Sequence, residues 1–160
     1  MDVIRIEPLT TARVLQVFPL IREAVPLVRL EEWIRFARTR TSTRGRDCVG
    51  IRVATVGHNP YPSGLYSYRV DTQLLLGSVL VADHFVALDL LDARPVLDRL
   101  IADLEILATR LNCNEVRSII QYRSTQAAQP LFAAGYHPQG MVFGKTLMGT
   151  DYPLPPFALT

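Results

Sequence analysis

The stretch FVALDLLDARPVLDRLIADLEILATRL, Phe85 to Leu111, decides the fold class. It opens on an apolar strand, Phe85 to Leu91, passes through Asp92-Ala93-Arg94, and enters an amphipathic run at Pro95. Leu97, Leu100, Ile101, Leu104, Leu107, Ala108 and Leu111 recur at helical spacing, which predicts a helix from Pro95 to Leu111 with one buried face. Arg99 and Asp103, four apart and off that face, are expected to pair on the surface. Pro95 suits a first helical turn, and Asn112 and Asn114 suit the exit. Where strand meets helix, free backbone N–H groups and the positive end of the helix dipole come together, and such a junction can hold an anion. A ligand site is therefore expected there, although the turn carries no glycine.

Working outward, EVRSIIQ (Glu115 to Gln121) has the composition of a strand. Thr125 to Ala134 reads as a short helix containing Pro130 and ended by Gly135. Met141 to Leu147 (MVFGKTL) reads as a last strand, and Thr150 to Thr160 as an extended proline-rich tail lying over the surface or on a neighbouring subunit. Toward the N-terminus, Val3 to Glu7 alternates as a half-buried strand. A helix capped by Thr10 or Thr11 kinks or restarts near Pro19. RLEEWIRFARTR follows as a second helix, with Leu30, Trp33, Ile34 and Ala37 on one face. Thr39 to Arg46 has a loop's composition, and Val49 to Val56 is a strand. His58 to Gly64 is a loop. Leu65 to Val70 and Leu74 to Ala82 form one bent strand or two short ones, with Gly77 marking a bulge. Asp83 and His84 then end a strand before Phe85 begins the next. Strand, two helices, three or four strands, helix, strand, helix and strand make a mixed α/β (α+β) domain over residues 1–149, followed by the tail at 150–160.

A chain of 160 residues, 49% hydrophobic and 20% charged, has enough apolar material for one globular core. A net charge of +2 argues against nucleic acid as a partner. No run of apolar residues is long enough to span a membrane, and the N-terminus lacks a signal-like apolar stretch. Two distant cysteines, Cys48 and Cys113, have no metal-site spacing and are expected to be reduced in a cytoplasmic protein.

The order of elements, with LVRLEEW (Leu27 to Trp33), the strand–turn–helix at Phe85 to Leu111, EVRSII, and STQAAQPLFAAGY (Ser124 to Tyr136), resembles the GNAT superfamily of N-acetyltransferases. The resemblance implies a mixed central sheet flanked by helices and a cleft between two splayed strands. Acetyl-CoA, or another acyl-CoA, would enter that cleft, pair with Phe85 to Leu91, and set its pyrophosphate on the N-terminus of the long helix. Leu90, Leu91, Ala93, Arg94 and Val96 would then be the cofactor-binding residues. The acceptor would be an amine, on a small molecule or a peptide. The chain departs from the family pattern in two places. Asp92-Ala93-Arg94-Pro95 replaces a longer glycine-containing loop, and Leu131 stands where the family places the tyrosine that protonates the leaving thiolate.

Candidate catalytic residues follow. Asp89, in the apolar run ALDLLD, is a base facing the cleft or a structural carboxylate. His84, beside Asp83, is a base or substrate contact, or part of a plain turn. Tyr122 lies just past a strand and is placed to enter the cleft as an acid. Arg35, Arg38, Arg40, Arg44, Arg46 and Arg52 form a basic run that either lies solvated or contacts an acidic group. Tyr61, Tyr66 and Tyr68 wall a pocket or pack on the sheet. No metal is expected, and the tail leaves room for a homodimer. Two functional readings stay open: an active acyltransferase, and a degenerate member that keeps the scaffold as a binding or interaction module.

Overall fold

The computed structural model describes residues 2–41, 48–88, 92–120 and 125–147. Five strands form one sheet in chain order: β1 (Ile4–Pro8), β2 (Val49–Val56), β3 (Gly64–Gln73), β4 (Gly77–Ala87) and β5 (Glu115–Ser118). The first four form an antiparallel meander, whereas β5 runs parallel to β4. Parallel neighbours require a crossover. The long helix α3 (Arg94–Arg110) supplies it.

Each sheet face has its own core. On one face Tyr66, Leu80, Ala82 and Phe85 meet Val96, Leu97, Leu100, Ile101, Leu104 and Leu107 of α3. All but Val96 are positions that the helical period singled out. On the other face Ile51, Val53, Leu65 and Val86 pack under α1 (Phe18–Ala24) and α2 (Leu30–Thr41), with Val17, Leu20, Ile21, Trp33 and Ala37 buried between. The buried Trp33 indole N–H donates to the Val14 carbonyl at 2.7 Å and fixes α2 to the segment before α1. The last helix, α4 (Ala128–Ala133), follows a 3₁₀ turn at Thr125–Ala127.

Several expectations are corrected. The helix expected from Thr10 or Thr11 is only a 3₁₀ turn at Thr11–Arg13; the restart near Pro19 is as expected, at Phe18 with Pro19 in the first turn, where a missing N–H costs nothing. The open question between Leu65 and Ala82 resolves as a hairpin whose tip is Leu74–Leu76. Gly77, in the left-handed region at φ 69°, closes the three-residue turn. Phe85 does not begin a new strand. It continues β4, which runs unbroken through Asp83 and His84. Asp103 does not pair with Arg99 on the surface. It turns inward and takes Arg52 through two bonds, Nε to Oδ2 at 2.9 Å and Nη2 to Oδ1 at 2.7 Å. The Tyr66 hydroxyl donates to the same carboxylate at 2.6 Å, and burial pushes that phenol far above its ordinary range. Asp103 sits three residues after Leu100, one turn along and at the rim of the apolar stripe, so an arginine from the sheet reaches it. Met141 to Leu147 pairs with no strand of the sheet, so a last strand is absent among the described residues. The tail at 150–160 lies outside them.

Where α3 crosses β3 it lies against Gly64. A Cβ there would fall 2.8 Å from Val96 Cγ1, 3.0 Å from Leu100 Cδ1 and 3.0 Å from the Val86 carbonyl oxygen. Gly64→Ala is expected to lower stability by about 1–3 kcal/mol in urea denaturation, the usual cost of overpacking. Gly140→Ala, where a Cβ meets nothing within 4 Å, is the near-neutral control.

Candidate functional site

β4 and β5 pair over four residues only, Val79 with Glu115 through Ala82 with Ser118. One further bond joins them, from the Ile119 N–H to the Ala82 carbonyl at 2.8 Å. β5 then ends, but β4 continues to Ala87. Beyond Ala82, therefore, the β5-facing edge of β4 carries no strand among the described residues. The stretch Phe85 to Ala87 is buried and leads from this parting of the two strands, the cleft, toward the start of α3.

A β-bulge sits at the apex of that cleft. The β3–β4 register passes from Leu65 opposite Val86 to Ser67 opposite Asp83, two steps on β3 against three on β4. The extra residue is accommodated where His84 adopts φ 53°, a left-handed conformation uncommon for a side-chain-bearing residue. In a regular strand Asp83 and His84 would point to opposite faces. The bulge turns both toward the face that carries α2. There the His84 ring lies edge-on to Phe36, with centroids 5.3 Å apart and planes at 79°.

Around this pair a polar cluster closes. The buried Ser67 hydroxyl donates to the Asp83 carboxylate. Arg69 Nη1 donates to the other carboxylate oxygen at 3.1 Å, and its Nε to Asp71 at 3.2 Å. His84 Nδ1 lies 2.9 Å from Ser67 Oγ and 3.2 Å from Asp83 Oδ1. Burial pushes the Asp83 carboxyl up, but the bonds with His84 and Ser67 and the nearby Arg69 charge outweigh it and hold the group below the usual carboxylate range. These contacts assign the imidazole protons. The ionised Asp83 only accepts, and the single Ser67 proton is directed to it. The Nδ1 position must therefore donate, which leaves the lone pair of neutral His84 on Nε2. The same accounting excludes Ser67 as a nucleophile served by His84, because serine and aspartate meet the same ring nitrogen and the serine proton goes to the carboxylate.

The other end of the cleft is the start of α3. Asp92 Oδ1 accepts the Arg94 N–H at 2.9 Å, so the chain's own carboxylate occupies a donor that a bound anion would use. Arg94 Nε donates to Asp98 at 2.8 Å, one turn along the exposed helix surface. Pro95 has no N–H to offer. Val96 is 1% exposed and packs inward against the sheet, so its side chain is unavailable to a ligand and only its backbone is a candidate contact. Ala93 is half-buried at the edge of the same core. Beside Arg94 a groove runs between α3 and α4, lined by Asp98, Ile101, Glu105, Pro130 and Ala133 among others.

Among the sequence-derived candidates, His84 is thus brought to the apex and Arg94 to the far end of the cleft. Asp89, Leu90, Leu91 and Tyr122 lie outside the described residues, as do Arg44 and Arg46. Tyr66 and Tyr68 pack in the core under α3, and Tyr61 is exposed on its loop. Arg52 is taken by Asp103. Arg40 donates to the Tyr68 carbonyl at 2.7 Å and lies over the Phe36 ring. Ser67 and Arg69 were missed. Their signal was present: in LYSYRV they occupy alternate positions, and so share a face, while the alternating Tyr66 and Tyr68 face the core under α3.

No family model matches the sequence, and no curated protein matches it. Solved structures do. The aminoglycoside N-acetyltransferase AAC(6')-Iy in complex with CoA superposes with a TM-score of 0.77 at 14% identity, over 92% of this chain and 97% of that one. The chain has the GNAT fold. Glucosamine-6-phosphate N-acetyltransferase from Arabidopsis thaliana matches with a TM-score of 0.68 at 14% identity, over 91% of this chain and 99% of that one. A ribosomal-protein-alanine N-acetyltransferase from Brucella melitensis biovar Abortus matches with a TM-score of 0.73 at 10% identity, over 91% of this chain and 100% of that one.

Two measurements check this geometry. Asp92→Ala removes the acceptor of the Arg94 N–H and is expected to lower stability by about 0.5–1 kcal/mol in urea denaturation, whereas Asp92→Asn, which keeps an accepting oxygen, should be near neutral. For Asp83 the folded pKa is depressed, so its contribution to stability is present above the unfolded value of about 3.9 and is lost as pH falls through the folded value. Asp83→Asn should therefore be less stable than the parent at neutral pH and should lose less stability than the parent below about pH 4.

Proposed function

We propose that the chain is an N-acyltransferase that moves an acyl group from acetyl-CoA, or another acyl-CoA, to the amine of a small molecule or peptide. The observation that carries this reading is the β4 bulge, which sets an imidazole with a free Nε2 at the point where β4 and β5 part. The β4 segment from Phe85 to Ala87, which no strand pairs on its β5-facing side among the described residues, would take the acyl-CoA, with Ala93 and Arg94 at the helix end. The amine approaches from the α2 side, where Phe36 fixes the His84 ring.

As the amine nitrogen bonds to the thioester carbonyl carbon, His84 Nε2 accepts the proton that the nitrogen must lose. The carbon–sulfur bond then breaks, and the thiolate leaves with the bonding electron pair. Asp83 holds the Nδ1–H and stabilises the imidazolium, and Ser67 and Arg69 hold Asp83; these three are positioning residues. Leu131 is 5% exposed within the α3 core and offers no proton at the position of the family's tyrosine. A thiolate, with a conjugate acid near pKa 8.5, leaves without one. Both cysteines are free thiols, and no helix among the described residues is long and apolar enough to cross a membrane; we place the activity in the cytoplasm.

The self-capped start of α3 favours a second reading, a GNAT scaffold that binds a partner without transferring an acyl group. Calorimetry with acetyl-CoA and a transfer assay over a panel of amines separate the two. The proposal expects measurable acetyl-CoA binding, and a His84→Gln variant that binds it equally well but turns over about 10²- to 10⁴-fold more slowly. No binding at millimolar acetyl-CoA overturns the proposal in favour of the second reading.

A further inference from the structure

Two arginines border the Ser67–Asp83–His84 cluster, and they differ in charge balance. Arg69 is neutralised, with Asp71 at 3.2 Å and Asp83 at 3.1 Å. Arg52, Arg94 and Arg117 elsewhere in the fold each meet a carboxylate as well. Arg40, in the last turn of α2, does not. Its Nη1 donates to the Tyr68 carbonyl at 2.7 Å, and its guanidinium carbon lies 4.9 Å from the centre of the Phe36 ring. Among the described residues no carboxylate pairs with it.

Arg40 is also unlike a solvated surface arginine, because it is half-buried and held in place by two contacts. Partial burial of a cation costs free energy, which the Phe36 ring face offsets in part. One N–H goes to a backbone carbonyl, and the others keep the planar fork that suits a carboxylate. Tyr68 lies between Ser67 and Arg69, so this bond sets the guanidinium beside the stretch of β3 that supports Asp83. Phe36 then joins cation and base. Its ring meets the guanidinium at its face and the His84 imidazole at 5.3 Å between centroids, so the two are separated by no more than these two contacts. The apex therefore carries separated charge: a carboxylate-backed imidazole, and an unneutralised cation one ring away.

We propose that the acceptor of this site is an aminocarboxylate, a small molecule with a carboxylate on the same framework as its reacting amine. Arg40 binds that carboxylate while His84 Nε2 takes the amine proton. The assignment rests on the acyl-transfer reading and narrows its acceptor. Arg40 touches the acceptor and not the reacting atoms, so it determines specificity. One guanidinium balances one carboxylate, whereas a phosphate dianion would bring excess charge close to Asp71 and Asp83. A second ammonium on the acceptor would meet the cation and be repelled.

Steady-state kinetics of the full chain with acetyl-CoA tests this on three series of matched chain length: unbranched alkylamines, ω-amino acids and aminoalkyl phosphates. The best amino acid is expected to exceed its alkylamine about tenfold or more in kcat/KM, with the difference carried by KM. In Arg40→Gln, which keeps an N–H donor, that ratio is expected to fall toward one, and in Arg40→Lys it should lie between. A variant that slows both series alike marks Arg40 as structural and overturns the assignment. A parent protein that treats the series alike, or prefers the alkylamines or the phosphates, overturns it too and leaves the acyl-transfer reading standing. Transfer to none of the three also overturns it, and the acetyl-CoA calorimetry described above then decides the reading itself.

Discussion

One extra residue in β4 is the constraint on which the rest of the site depends. A regular strand would send Asp83 and His84 to opposite faces and bury one of them under α3. The bulge avoids this by placing His84 in a left-handed conformation, and the strand then resumes with Phe85 in the α3 core and Val86 in the α2 core. Such a conformation is sparsely populated for a side-chain-bearing residue and persists only where its surroundings over-determine it. Here they do. Ser67, Asp83 and Phe36 fix the ring, Arg69 fixes Asp83, and the pairing of Gly64 and Leu65 with Ala87 and Val86 re-establishes the register beyond the bulge. Sheet registry, imidazole tautomer and the parting of β4 from β5 all converge within a few residues.

The two ends of the cleft are built on different principles. At the apex the polar groups are preorganised and their protons assigned, close to the point where β5 ends. At the helix end the fold supplies the usual anion-binding elements and then satisfies them internally, through Asp92 on the Arg94 N–H and Asp98 on the Arg94 guanidinium. Any anion placed there must displace one carboxylate and compete for the arginine held by another, so competition with the chain's own charges would set its affinity as much as the number of donors available.

Long, strongly periodic elements were legible in the sequence. Seven apolar positions at helical spacing located α3 to within a residue at each end, and the left-handed Asn112 ends it as its residue type suggests. β2 was equally plain. What misled were local cues that two structures share. Leu74-Leu75-Leu76 reads as the core of a strand, yet it is a fully turned hairpin tip, because Gly77 supplies the left-handed conformation that a three-residue turn needs. Asp83-His84 reads as a turn between strands, because a polar pair in an apolar run signals a break; a bulge uses the same residue types without breaking the strand. Asp103 lies off the apolar face of α3, but Arg52 and Tyr66 come from strands distant in sequence, and no spacing within the helix announces them. Residues 141–147 have a strand's composition, yet they pair with no strand among the described residues, because composition alone does not supply a partner edge.

The central claim is that the cleft opened by β4 beyond Ala82 is an acyl-CoA site with the Asp83–His84 bulge at its apex. Amide NMR of the full chain titrated with acetyl-CoA tests this most directly. The account predicts that the largest shift changes fall on His84 to Ala87 and on Arg94, whose N–H exchanges the Asp92 carboxylate for a phosphate. Changes confined to the Leu74–Leu76 tip or to α1 and α2, or no changes at millimolar acetyl-CoA, would contradict it.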